Sequence, residues 1–223
     1  MTDLLDASTS QAFPEVRRAA DVQISQDRLI VLDLETSGLN PEVDEVIAIG
    51  AVAIVNGRIN YGDQIDVILR RPDVDTRNTV MIHGIGPQAL NQGHDSETAL
   101  RQIVHWIDGA PILGFHARFD KLFLERALRV TTGYDCSHAW LDLADAMPGL
   151  FPEKRNVSGR MEKWLDHFGI SIEERHTAAA DALLTAQLAL VALTRCRRLE
   201  IEHLSDLQRL ADQVLESRQS QRF

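Results

Sequence analysis

The chain has 223 residues, 44% of them hydrophobic, enough to bury a sizeable core in one large domain or one domain with appendages. With 33 Asp+Glu against 23 Lys+Arg its formal net charge is -10, which argues against coating duplex DNA or a membrane through a broad basic surface, though not against contacts carried by bound metal ions. Cys136 and Cys196 have no metal-ligand spacing and read as free thiols. No uninterrupted apolar run reaches the ~18 residues of a membrane span and no leader-like pattern opens the chain, so the expected compartment is the cytoplasm, with no membrane partner.

Residues 1–27 are mixed and polar around Pro14 and read as an N-terminal extension. RLIVLDLET (28–36) is a strand, and residues 45–70 are two strands joined at Asn56-Gly57, a tight-hairpin signal. Residues 71–93 form a long connection punctuated by Pro and Gly. Residues 95–110 predict a helix with Ser96 as candidate N-cap and Gly109 near its end. PILGF (111–115) is a short buried strand, 117–130 a helix, AWLDLADAM (139–147) a strand running into a turn, and 159–169 another helix. The Ala/Leu-rich stretch 177–195 is a long helix, and 199–217 a final amphipathic one. Three leading, mostly antiparallel strands followed by alternating helices and strands predict an α/β fold: a mixed five-stranded sheet flanked by helices. The expected organisation is 1–27 extension, 28–195 main domain, 196–223 C-terminal helix.

Four acids stand in apolar settings. Alternation sends Val31, Asp33 and Glu35 to one face of their strand and Ile30, Leu32 and Leu34 to the other, so both acids share a face near the strand's C-terminal end. Ligands of open α/β sheets tend to sit beyond such ends, and two adjacent carboxylates call for a cation between them. Solvated acids on an exposed edge are the plain alternative. Asp120 lies on the packed face of its helix with Phe123, Leu124, Ala127 and Leu128, and Asp181 on that of another with Leu184, Leu188 and Val191. His176 stands at the mouth of that second helix, as a simple helix-entry residue or as a base beside a metal cluster.

Asp33-x-Glu35, His116-x-x-x-Asp120 and His176-x-x-x-x-Asp181, in this order, resemble the DEDDh family of 3′-5′ exonucleases, the proofreading epsilon subunit of bacterial DNA polymerase III and its stand-alone relatives most of all. The resemblance runs from about residue 29 to 192 and includes DLETSGL, IHGI (82–85), GFHARFD (114–120) and HTAAADA (176–182). It implies a ribonuclease H-like fold. The family's second motif usually reads His-Asn, two variable residues, Phe and Asp, and Ala117 is read as replacing the Asn, which puts strand positioning near His116 in question. Leu143 stands after Asp142 where many relatives have Thr.

The resemblance assigns Asp33, Glu35, Asp120 and Asp181 to two divalent metals, Mg²⁺ or Mn²⁺, and makes His176 the general base that takes the proton of the attacking water. An ordinary imidazole, titrating near ~6.5, suits that task at neutral pH. Nucleoside 5′-monophosphates would be released from the 3′ end of single-stranded or frayed DNA, with Thr36, Gly38 and Leu39, His83, His116 and Phe119 contacting the strand. Leu39 and Phe119 are as readily ordinary core. The alternatives are an exoribonuclease on short RNA and, from another class, a binding module without catalysis. The apolar stripe Leu204, Leu207, Leu210, Ala211, Val214 and Leu215 is expected to pack on its own domain, with a homodimer or polymerase-like contact as the competing use.

Overall fold

RLIVLDLET forms β1 (Leu29–Thr36), the central strand of a five-stranded sheet. In the computed structural model, which describes residues 12–220 apart from 136, 155, 156, 158 and 173–175, the two faces of β1 enter different cores. Ile30, Leu32 and Leu34 pack with Ile103, Phe123 and Leu124, while Val31 packs with Leu143, Leu184 and Leu188. The strand is central because both faces are covered, and the alternation decides which side chains meet which helices.

β2 (Val46–Val55) and β3 (Arg58–Ile68) continue the sheet antiparallel to β1, joined by Asn56 and Gly57, whose φ values of 52° and 66° make a two-residue hairpin. β4 (Ile112–Gly114) and β5 (Trp140–Asp142) add in parallel on the other side. The order β3-β2-β1-β4-β5 is the expected mixed sheet. The long connection contains two short helices, α1 (Val80–His83) and α2 (Pro87–Gln92). α3 (Ser96–Ile107) and α4 (Arg118–Thr132) cover the Ile30 face. α5 (Leu143–Leu150), α6 (Met161–His167), α7 (Ala178–Arg198) and α8 (Leu204–Ser220) contribute to the Val31 face. α7 is long and apolar enough by composition to cross a membrane, but here it lies against β1 and β2 as the core helix.

Two local expectations are corrected. Ser96 is not the N-cap of α3: Asp95 accepts the Thr98 amide at 3.1 Å, and the Ser96 hydroxyl instead accepts from Arg71 at 2.7 Å and donates to the Arg70 carbonyl at 3.0 Å. Either side chain satisfies the capping preference, and tertiary contacts with Arg70 and Arg71 decide. The stretch after Asp142 is a helix rather than a turn, because Asp142 caps it through the Ala144 amide at 2.9 Å and Leu143, Ala146, Met147 and Leu150 are buried. Cys196 is a free, buried thiol whose pKa burial pushes up to about 12; Cys136 lies outside the described residues.

Residues 22–24 and 202–204 are knitted together. The Ile24 amide donates to the Glu202 carbonyl at 3.0 Å and the Leu204 amide to the Val22 carbonyl at 3.1 Å. Val22, Ile24, Leu204 and Leu207 are buried in the same core as α7, and Phe13 packs on Tyr134 with ring centroids 4.3 Å apart. Among the described residues, Val22 and Ile24 before position 28 and Leu204 and Leu207 after position 195 thus share one core with the residues between them. The stripe of α8 is covered by its own domain at Leu204, Leu207 and Ala211, leaving mainly Leu215 exposed. Leu207→Ala should lower stability by about 2–5 kcal/mol, read as a shift in the urea midpoint, with no change of mass in light scattering; a change of oligomeric state with unaltered stability would return the stripe to an intermolecular role.

Candidate active site

The sheet brings three of the four predicted acids together. Asp33 and Glu35 project from β1 on its α7 face, half-buried, and Asp181 is buried in the first turn of α7. One carboxylate oxygen of each lies within 4.8 Å of the other two. Two features create this approach. Asp33 pairs across the sheet with Gly50 of β2, and a Cβ on Gly50 would fall 2.0 Å from the Ala178 carbonyl carbon, so α7 can descend onto the sheet only because the residue there is Gly. The Thr177 hydroxyl accepts the Ala180 amide at 3.2 Å and thereby fixes the start of α7, one turn before Asp181. A register shift between Glu35 and Thr36 ends the regular pairing at the same point.

Asp120, in the first turn of α4, is the most deeply enclosed of the four, 5% exposed. Burial, followed by the neighbouring charges of Asp142 and Glu35, pushes its pKa up to about 8, against the pull of backbone hydrogen bonds from Leu34 and its own amide. The effect of Glu35 ties Asp120 electrically to the other acids. Like charges ~4 Å apart repel by on the order of 4 kcal/mol even at an effective dielectric near 20. A set of carboxylate oxygens held this close, with the buried member forced toward its neutral form, is the donor chemistry of a hard divalent cation, and the residues fit one.

Both site histidines have left-handed backbones: φ is 62° at His116 and 66° at His176. His176 is exposed, one residue before the N-cap of α7, and makes no hydrogen bond or ion pair to another described residue. His116 is exposed too, its amide donating to Asp142 Oδ1 at 2.9 Å and its ring set edge-on to Phe115 at 5.0 Å. This geometry revises the reading of the second motif. Counted back from Asp120 through Phe119 and two variable residues, Arg118 and Ala117, the position of the Asn is His116, and Phe115 stands at that of the family's His. Asn and His are among the few non-Gly residues enriched in the left-handed region, which fits the φ at 116. Ala117, 2% exposed, is then an ordinary variable residue at the head of α4.

The other predicted contacts divide by exposure. Leu39 is 82% exposed on the loop after β1, and Met81 (90%) and Ile82 (58%) stand on α1, which Thr79 ties to that loop through the Ser37 carbonyl at 3.4 Å. Leu39 is thus not core. Thr36 is buried and its hydroxyl donates to the Gly38 carbonyl at 2.7 Å; a Cβ on Gly38 would come within 2.4 Å of the Asp44 carboxylate. Phe119 is half-buried against Phe123, with centroids 4.6 Å apart. His83 is buried and its Nδ1 accepts the Ile85 amide at 3.1 Å, while desolvation lowers its pKa, so the neutral ring carries its proton on Nε2. Sequence reasoning missed Gly50 and Asp142. A Gly inside the strand pattern AIGAVAIV was an available signal of close backbone approach; Asp142 enters the sequence reading only through its neighbour Leu143 and has no role there.

Comparison with known proteins agrees with this geometry. The RNase T model, described as exonuclease, matches residues 30–189. DNA polymerase III PolC-type of Thermotoga maritima is 28% identical over 206 residues, which are 92% of this chain but 15% of that protein. DNA polymerase III subunit epsilon of Haemophilus influenzae is 28% identical over 178 residues, 75% of this chain and 68% of that one. This chain therefore spans far less than two thirds of the PolC-type relatives it matches. Among solved structures, E. coli exonuclease I in complex with a dA16 oligonucleotide superposes with a TM-score of 0.68 at 22% identity, covering 78% of this chain and 42% of that one, a likeness of fold.

Proposed function

The chain belongs to the RNase T exonuclease family, and from that premise we propose that it hydrolyses the last phosphodiester bond at the 3′ end of single-stranded or frayed DNA, releasing nucleoside 5′-monophosphates. The observation that carries this reading is the convergence of Asp33, Glu35 and Asp181 within 4.8 Å, with the buried Asp120 electrically coupled to them. These four carboxylates would hold a pair of divalent metals, Mg²⁺ or Mn²⁺; when bound, such a pair supplies an activated water and charge stabilisation for the leaving oxygen. The epsilon name of the Haemophilus relative and the oligonucleotide complex of exonuclease I support DNA as the substrate.

In this reading the chain's own residues do the following. His176, exposed beside Thr177 and free to approach an incoming ligand, takes the proton of the attacking water. The Thr36–Gly38 backbone, drawn tight by the Thr36 hydroxyl, supports the terminal nucleotide, and exposed Leu39 lies against its base. His116 contacts the strand at the head of α4, with Phe119 behind it. The net charge of -10 favours short or unpaired ends over tracking along a duplex.

The test is nucleotide release with Mg²⁺ or Mn²⁺ from single-stranded DNA, a mismatched primer end and a short RNA, side by side. Stepwise release from 3′ DNA ends, abolished by chelation and by Asp33→Ala, is expected. Release from 5′ ends or internal cleavage would refute the proposal, and strong preference for the RNA would reassign the substrate. His176→Ala should retain Mn²⁺ binding while kcat falls by about 10²–10⁴-fold; unchanged kcat would remove the general-base role.

A further inference from the structure

We propose that Asp142 is a positioning residue that holds the His116 turn in the conformation in which His116 meets the substrate strand. The proposal rests on the exonuclease reading above. Asp142 is the last residue of β5, in register with Gly114 at the end of β4. From there a single oxygen, Oδ1, accepts two amides at 2.9 Å each, that of Ala144 in its own helix α5 and that of His116 in the turn leading into α4. One carboxylate thus ties together the C-terminal ends of two parallel strands and the starts of the two helices that follow them.

The turn needs such a tie. A left-handed backbone at a residue with a Cβ is strained and persists only where its surroundings hold it. A hydrogen bond from an amide to a carboxylate is stronger than one between neutral groups and offsets that strain. Asp142 also attracts the His116 imidazole, which is one of the influences pulling the Asp142 pKa down against the larger upward effect of burial. The imidazole itself remains exposed at the C-terminal edge of the parallel strands, where ligands of such sheets sit. A cavity of about 440 Å³ opens beside the turn, its walls including Arg118 and Lys121 but also the carboxylates of Asp142, Asp145 and Asp212, so there is space next to the turn and its charge is mixed. Asp142 is not among the three acids within 4.8 Å of one another, and its geometry serves the turn.

The experiment compares full-length wild type, Asp142→Ala, Asp142→Asn, His116→Ala and the double alanine variant on a single-stranded DNA 3′ end, with kcat and KM measured separately and oligonucleotide affinity read by anisotropy. Asp142→Ala is expected to raise KM about tenfold or more with kcat within about threefold, and Asp142→Asn, which keeps an oxygen for both amides, to restore KM to within about threefold of wild type. His116→Ala should raise KM as well, and adding Asp142→Ala to it should do little more, because both act through one contact. Additive effects would overturn the proposal, as would equal damage from Asn and Ala or an Asp142→Ala change confined to stability. Unchanged KM in His116→Ala would overturn it while leaving the exonuclease reading intact. A wild type that releases no nucleotide would defeat that reading and this proposal with it.

Discussion

Asp120→Asn is expected to reduce nucleotide release by about 10³-fold or more and yet to make the metal-free protein more stable. The two effects have one cause. In the unfolded chain the carboxyl titrates at its ordinary 3.8; in the fold, burial and the charges of Asp142 and Glu35 move it to about 8. Between those values the folded state holds a proton that the unfolded state has lost, so metal-free stability falls as pH rises across that window. Asparagine has no proton to lose and no charge to bury. In chelator, Asp120→Asn should therefore melt higher than wild type near neutral pH by roughly 2–4 °C, equivalent to about 1 kcal/mol in a chain of this size, and its melting temperature should lack the downward slope in pH that Asp120 contributes. Metal binding in the wild type should release protons below pH 8, because Asp120 must ionise to act as a ligand. Calorimetry in buffers of different ionisation enthalpy measures that release. A metal-free Asp120→Asn protein that melts lower than wild type at every pH would show that Asp120 is not a destabilising acid.

Gly50→Ala is expected to damage stability and activity together, from a single methyl group in the middle of a strand. The added carbon would lie 2.0 Å from the Ala178 carbonyl carbon and 2.2 Å from the Ala179 nitrogen, and these are backbone atoms that cannot rotate aside. α7 must retreat from the sheet, and Asp181 retreats with it, away from Asp33, the strand partner of Gly50. Overpacking of this kind costs about 1–3 kcal/mol or more, and a displacement of ~1 Å at reacting groups costs on the order of 10²-fold in rate. Gly62→Ala in β3 serves as the control: its Cβ would find only the Asn60 side chain, at 3.6 Å. Denaturation midpoints and nucleotide release for the two variants provide the check, and a Gly50→Ala protein as active as Gly62→Ala would mean that α7 is not held by this contact.

Much of the architecture was legible because its signals are local. The two faces of β1 follow from alternation at Val31, Leu32, Asp33, Leu34 and Glu35, the hairpin from Asn56-Gly57, and the packed faces of α4 and α7 from helical spacing around Asp120 and Asp181. α5 was not legible as a helix, because its eight residues include Pro148 and Gly149 and it is set by the Asp142 cap and by burial. The role of residues 13–24 was hidden for a related reason. Their partners, Tyr134 for Phe13, Gly109 for Arg17, and Leu204 and Glu202 for Val22 and Ile24, are distant in sequence and leave no mark on their own periodicity.

The same distinction runs through the site. Residue type and spacing alone determined which acids and histidines are on hand, since a carboxylate on an apolar face is anomalous wherever it is read. Their convergence is a property of three dimensions. Asp33, Glu35 and Asp181 meet because Gly50 lets α7 touch the sheet, and His116 is held left-handed by a carboxylate 26 residues away. Close approach and hydrogen bonding between distant segments act at ångström range after the chain has folded, and a linear pattern carries no record of them.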